Sequence, residues 1–248
     1  MQVKALWAII VALSHEAKAI LSGMAVQSHT RYGPIKIYEG SFAGRECLLV
    51  QTGIGPRNAE QASRFLLDYY PVTHLISTGY CGALKEGIKN SEVVLATSLL
   101  SLGGNLPPLN PDHGFFAEIK ERLGRGGFAV HCGPMVTSER PVLKREDKMK
   151  LGTAAGAIAV DMESYFVLKA AQESKKIVSL AMRFVVDALD DDLADTASFV
   201  DAQSGFQPMS LLREAIRQPK ILMELPGLER QAGRARKKMS AAVQSIFK

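Results

Sequence analysis

The chain has little cysteine, and what it has forms no pattern. Cys47, Cys81 and Cys132 are widely separated in 248 residues, make no CxxC pair and describe no disulfide framework. They read as reduced, mostly structural thiols. Long hydrophobic runs are missing too. No apolar stretch approaches the roughly 18 to 20 residues that span a bilayer, and the apolar start near Leu6 to Leu13 has no basic region before it and no cleavage site after it. The expectation is a cytoplasmic protein. The five histidines show no ligand spacing, and His15-Glu16 lacks the second histidine of a zinc-protease helix, so no metal is expected. No G-x-x-x-x-G-K-[ST] sequence occurs, and Gly53-Ile54-Gly55 is followed by Asn58 where a dinucleotide fingerprint needs a third small residue. P-loop and nicotinamide chemistry are excluded on these grounds, and no cofactor is expected.

A net charge of +5 suggests nucleic acid until its distribution is considered. From Pro208 to Lys248 there are nine Lys/Arg and three Glu, which leaves about one net negative charge on everything before it. The body carries no uniformly basic groove with interleaved aromatics, the footprint of a nucleic-acid binder. The charge belongs to the tail.

What the chain does contain is a regular alternation of apolar runs and amphipathic stretches. At 47% hydrophobic and 22% charged it can bury one large core. The expected architecture is a single α/β domain over 1–248, with a mixed, mostly parallel central sheet flanked by helices and with 208–248 as a basic helical extension. Strands are expected at Ala5–Leu13, Ile35–Phe42, Glu46–Gln51, Thr73–Thr78, Val93–Leu102, Phe128–Val136, Ala157–Val160 and Ile177–Val186. Helices are expected at Ser14–Leu21, after the turn Thr52–Pro56, and at Phe115–Leu123, Lys144–Leu151 and Met162–Glu173. Gly103–Gly114, rich in Gly, Pro and Asn, reads as an irregular loop of the kind that walls a pocket or an interface.

Two segments concentrate the chemistry. Val160-Asp161-Met162-Glu163-Ser164 and Arg183-Phe184-Val185-Val186-Asp187 each bring an apolar strand to a carboxylate at its exit, where open α/β sheets place their sites. Glu16 lies just past another exit, and Arg183 shares a strand face with Asp187. Each has a bland alternative: Asp187 opens an acidic loop with Asp190, Asp191, Asp192 and Asp195 that could be solvated or hold a cation, and Glu16 could serve only its helix dipole. The reading that follows is an enzyme without cofactor that works through carboxylates.

In order along the chain, Glu16, Thr52-Gly53-Ile54-Gly55 with Asn58-Ala59, Ser77-Thr78-Gly79-Tyr80-Cys81-Gly82, Val160-Asp161-Met162-Glu163 and Arg183–Asp187 resemble the nucleoside phosphorylase and nucleosidase superfamily. The pattern is similar to the methylthioadenosine/S-adenosylhomocysteine nucleosidases and to the hopanoid-associated branch that removes adenine from adenosylhopane. Gly156–Ser164 and the basic extension look more like the latter.

The resemblance implies that Asp187 donates a proton toward N7 of adenine and that Glu16 activates the attacking water. It implies that Glu163 accepts hydrogen bonds from the ribose hydroxyls, that Met162 packs on the sugar, that Arg183 orients the carboxylates, that Gly79 and Tyr80 line the substrate and that Pro141 and Val142 line the base. To hold its proton near neutral pH, Asp187 should have partial burial or a neighbouring negative charge. Hydrolysis is favoured over phosphorolysis, because Ser77 and Tyr80 stand where phosphorylases carry phosphate ligands, although Arg31, Arg57 or Arg140 could be brought in by folding or by a second subunit. The implied partner is a small-molecule or lipid-linked adenosine nucleoside, not nucleic acid, bound by a homo-oligomer. The other readings are a phosphorylase and a noncatalytic nucleoside-binding or membrane-associated protein.

Leu228, Ala232, Ala235, Met239, Val243 and Ile246 recur at helical spacing opposite Arg230, Arg234, Arg236, Lys237 and Lys238. Such a basic amphipathic helix either lies peripherally on the inner membrane, with Phe247 as its one aromatic anchor, or docks on its own domain.

Overall fold

A computed structural model describes residues 5–103, 106–174, 177–189 and 219–248, with side chains in the last segment described from 233 onward. In chain order the elements are β1 (Trp7–Val11), α1 (Ser14–Leu21), β2 (Ala25–Tyr32), β3 (Ile35–Phe42), β4 (Arg45–Gln51), α2 (Pro56–Tyr69), β5 (His74–Ala83) and β6 (Val93–Ser101). Then come α3 (His113–Arg125), β7 (Val130–Thr137), α4 (Arg145–Ala155), β8 (Ala159–Asp161), α5 (Ser164–Glu173), β9 (Val178–Asp187) and α6 (Pro219–Phe247). The expected strands and helices all occur, with ends shifted by a few residues.

Every residue of β1 is buried, as a strand must be when it pairs on both sides and is covered on both faces. It runs parallel to β4 and β5, and its side chains alternate: Trp7, Ile9 and Val11 face one core, Ala8 and Ile10 the other. α1, α3 and α6 cover the first face, α2 and α5 the second. The fold class is therefore α/β as expected, with parallel ladders in the majority.

The strand order is β2-β3-β4-β1-β5-β8-β7-β6-β9, and β9 pairs back onto β5, so the last five strands close into a ring. Closure depends on β5 changing neighbours. His74–Ser77 pair with β1, whereas Gly82 and Ala83 pair antiparallel with β8. Gly79, at φ +148°, lies between the two pairings, and a register shift follows at Cys81/Gly82. The sequence predicts that this strand ends at Thr78. It instead runs on through Gly79-Tyr80-Cys81-Gly82, because glycine lets the chain turn without leaving the sheet.

One strand was not expected. β2 is exposed or nearly so along its whole length, pairs only with β3, and has polar residues on both faces, so no period-2 signal marks it.

The C-terminal helix takes the docked alternative. Ala235, Met239, Ala242, Val243, Ile246 and Phe247 are buried in the first core. Phe247 stacks on Phe42 and packs at a tilt against Trp7, each 5.0 Å away, so it is a core residue and not a membrane anchor. Fully burying such a ring is worth about 1.5–3 kcal/mol. The Arg122 guanidinium also donates to the Ile246 carbonyl at 2.6 Å. The side chains of Leu228, Arg230 and Ala232, like Asp190, Asp191, Asp192 and Asp195, lie outside the described residues. Among the described residues, no helix is long and apolar enough to cross a membrane, and no cluster of His, Cys, Asp or Glu forms a metal site.

Candidate active site

Three connections that leave the sheet, β1–α1, β4–α2 and β8–α5, converge beside β5 and β9. Glu16 sits in the first turn of α1, and its carboxylate folds back to accept from the Leu13 and Ala12 N–H groups at 2.8 and 3.1 Å. Its other oxygen accepts from the Tyr80 N–H at 3.0 Å, so α1 is tied to the middle of β5. Burial pushes the Glu16 carboxyl above the usual carboxylate range, against the pull of these amides and of Arg183.

Gly79 is the reason this approach is possible. A Cβ there would lie 2.8 Å from Glu16 Oε1 and 3.1 Å from Arg183 Nη1. Gly79 therefore admits two functional groups to the same space and offers no side chain of its own.

Arg183, on β9, is 2% exposed, and its fork is nearly filled. Nε donates to Asp161 at 2.7 Å, Nη2 donates to the Ser77 hydroxyl at 3.1 Å, and Nη2 lies 3.9 Å from Glu163. Its Nη1, buried next to Glu16, has no hydrogen-bond partner among the described residues. A buried guanidinium N–H without a partner is costly, which sets this nitrogen apart from the rest of the fork.

Asp161 is the hub that sequence reasoning left without a role. It accepts from Arg183, from the Thr137 hydroxyl at 2.6 Å and from the Ser164 N–H at 3.0 Å. Those bonds join β7, β8, α5 and β9. Glu163, one residue before α5, accepts from the Gly55 N–H at 2.9 Å, which brings in the glycine turn before α2. Burial first, and then the Asp161 charge, push Glu163 up to about 8. Met162 lies half-buried between these two carboxylates in the chain.

Asp187, at the end of β9, is 7% exposed. Of the two features expected from the sequence, partial burial or a neighbouring negative charge, burial is met, and Oδ1 meets the ammonium of Lys148, a residue of α4 that is wholly buried. The other oxygen, Oδ2, lies over Gly82 beside Val160. Val142 packs into the small cluster that contains Val160, and Pro141, half-buried, precedes it on the same loop. Tyr80 contributes its backbone to Glu16, while its ring stacks on His15 at 5.3 Å. Arg31, Arg57 and Arg140 are exposed in this chain.

Of the residues singled out from the sequence, the structure brings Glu16, Gly79, Glu163 and Arg183 together, and places Asp187 four residues farther along β9. Sequence reasoning missed Ser77, Thr137 and Lys148 as partners. No spacing signals a hydroxyl that bonds across a sheet, and α4 carries no apolar stripe to show which face turns inward.

The chain belongs to the phosphorylase superfamily: a family model of that description matches residues 7–216. Among curated proteins, a 5′-methylthioadenosine/S-adenosylhomocysteine nucleosidase of Listeria monocytogenes is 30% identical over 91 residues, which cover 37% of this chain. That match spans 39% of the length of the relative. Solved structures share the fold throughout. The corresponding nucleosidase of Neisseria meningitidis, in complex with methylthio-immucillin-A, gives a TM-score of 0.78 at 20% identity, covering 98% of both chains. Futalosine hydrolase of Helicobacter pylori gives 0.77 at 16% identity, covering 98% of this chain and 97% of its own.

Proposed function

We propose that this chain is a purine nucleosidase that hydrolyses the N-glycosidic bond of a 5′-substituted adenosine and releases adenine. The observation that carries this reading is the buried Nη1 of Arg183, which has no hydrogen-bond partner among the described residues and lies with the buried Glu16 carboxylate over Gly79. As the C1′–N9 bond breaks, its electron pair goes to the purine and positive charge grows on the sugar. The purine N7 takes a proton from Asp187, and water adds to C1′ and gives up a proton to Glu16. Glu163, with one oxygen on Gly55, offers the other to the ribose hydroxyls. Met162 packs on the sugar, and Pro141 and Val142 line the base. The surplus of carboxylates around Arg183 favours the cationic sugar of the transition state. The nucleosidase names among the relatives support the same class of substrate.

Within that class we favour a lipid-linked adenosine, adenosylhopane, over methylthioadenosine. The support is the Gly156–Ser164 segment and the basic extension. With the apolar face of α6 in the core, any contact with an anionic inner membrane is made by the exposed Arg234, Lys237 and Lys238. We further read the chain as cytoplasmic, as one domain that includes 208–248, and as a homo-oligomer, a state supported by the exposed Tyr69, Leu102 and Leu106.

The test is adenine release from adenosylhopane in phosphate-free buffer, with methylthioadenosine in parallel. Release from the lipid nucleoside alone supports the full reading, and release only from methylthioadenosine moves the substrate to the soluble thionucleosides. Release that requires added phosphate makes Arg183 Nη1 a phosphate ligand and the enzyme a phosphorylase. No release under any of these conditions overturns the enzymatic reading.

A further inference from the structure

α1 and α6 pack against each other and leave between them an open groove of about 520 Å³. Both helices build its wall: Lys18 comes from α1, Arg236 and Lys237 come from α6, and the His15 imidazole stands among them. The spacing of the sequence puts them there. His15, Lys18 and Ser22 follow one another at three and four residues on α1, and Arg236, Ser240 and Gln244 recur every four residues on α6. Each row is a polar stripe beside the apolar stripe that its helix buries, Ala17 and Ile20 on α1 and Ala235, Met239 and Val243 on α6.

No residue lining the groove is acidic, and Lys18, Arg236 and Lys237 form no ion pair among the described residues. Glu16, the one carboxylate of α1, is turned onto the amides of Ala12, Leu13 and Tyr80. On α3, which also packs on α6, Glu118 and Glu121 pair with Arg122 and Arg125 of their own helix. The cations are close enough to act on one neighbour: burial first, then Arg236 and Lys18, hold His15 below the usual histidine range. A concavity lined by charge of one sign focuses its field and concentrates counter-ions.

The two ends of the groove differ. At the Ser22 end, Gln244 Nε2 donates to the Ser240 hydroxyl at 3.1 Å, the Ser240 and Ser22 hydroxyls lie 3.1 Å apart, and Ser22 donates to the Ala19 carbonyl at 2.7 Å. That end is knit shut by its own hydrogen bonds. At the His15 end the ring stacks on Tyr80 at 5.3 Å, and the Tyr80 hydroxyl is buried with no partner among the described residues, near enough to Arg236 to feel its charge. An unsatisfied buried hydroxyl behind unpaired cations is a second sign of an unfilled polar site.

We infer that this groove binds a phosphoryl group, as a phosphate mono- or diester, with the Arg236 fork and the Lys18 and Lys237 ammoniums as its donors. A single carboxylate would be matched by the arginine alone, whereas the charge and the several oxygens of a phosphate use all three cations. The inference does not depend on the nucleosidase reading, because the groove uses none of the carboxylates around Arg183. A free phosphate ester and a phospholipid headgroup carry the same chemistry, and the test separates them.

The experiment measures binding to the full chain in two arms, glycerol 3-phosphate by titration calorimetry and phosphatidylcholine vesicles with and without phosphatidylglycerol by co-sedimentation. Wild type is compared with Lys18→Gln/Arg236→Gln in the groove and with Arg234→Gln/Lys238→Gln, which removes the same charge from α6 outside it. In the groove variant the Kd for glycerol 3-phosphate is expected to rise about tenfold or more, and in the outer variant to stay within about threefold of wild type. In the vesicle arm every surface cation contributes, so the groove variant is expected to lose about tenfold more affinity than the outer variant. A response to glycerol 3-phosphate makes the ligand a free phosphate ester, and a response only to phosphatidylglycerol makes it a headgroup. If the groove variant does not fold, Lys18→Glu, at an exposed position, replaces it with the same expectation. Equal losses in the groove and outer variants mean diffuse attraction to the basic helix and overturn the inference. Wild type that binds neither probe, or binding that the groove variant leaves unchanged, overturns it as well.

Discussion

The two ends of the site handle charge in opposite ways. Around Arg183, three carboxylates (Glu16, Asp161 and Glu163) share one guanidinium; burial raises both glutamates, and the Asp161 and Glu16 charges raise Glu163 further. At Asp187 the described charged partner is the ammonium of Lys148. A cluster of carboxylates around one guanidinium suits a cation that forms during reaction, whereas an ammonium beside a carboxylate holds that group in place. Each arrangement suits one half of a glycosidic cleavage, the sugar that becomes positive and the base that becomes negative.

The comparison breaks most completely at Arg183. Arg183→Met leaves three buried carboxylates without their cation, and we expect a loss of about 3–5 kcal/mol in urea unfolding together with loss of turnover. Glu16→Gln should spare the fold and lower kcat by about 100-fold to 10,000-fold, read from adenine release at saturating substrate. A loss confined to KM would mean that Glu16 only binds.

Glu163 sharpens the contrast through pH. Its folded-state pKa of about 8 lies above the 4.5 of the free side chain, so the folded protein binds more protons than the unfolded chain between those values. Stability from this group is therefore full below pH 4.5 and declines as pH rises through about 8, with a slope of at most about 1.4 kcal/mol per pH unit. Urea midpoints measured across that window should fall in wild type and flatten in Glu163→Gln.

The smallest change, Gly79→Ala, places one methyl group against Glu16 Oε1 at a backbone angle that favours glycine. It should cost about 1–3 kcal/mol in thermal unfolding and weaken the site without removing any of its functional groups.

Much of this site was legible because its residues follow strand exits. Val11, Asp161 and Asp187 end apolar runs, and a run of four to eight apolar residues bounded by a polar turn is a strong local signal. Glu16 was legible for the same reason, in the first turn after β1. The hidden part is whatever depends on distance across the fold. Ser77 meets Arg183 across 106 residues, and Lys148 meets Asp187 across 39. α4 gave no help, since its inward face is a lysine and a glycine. β2, polar on both faces, was hidden because an edge strand leaves no alternation to read.

The sequence by itself determined the layered α/β class, the order of strands and helices and the strand-exit positions of the carboxylates, because hydrophobic period and turn chemistry are local properties. Only the tertiary structure decided that β9 returns to β5 to close a ring, that α6 buries its apolar face in the domain, and that Arg183 and Lys148 divide the carboxylates between them. Those outcomes rest on which buried polar group finds which partner, and a buried charge is tolerated only where packing brings its counterion within a few ångströms.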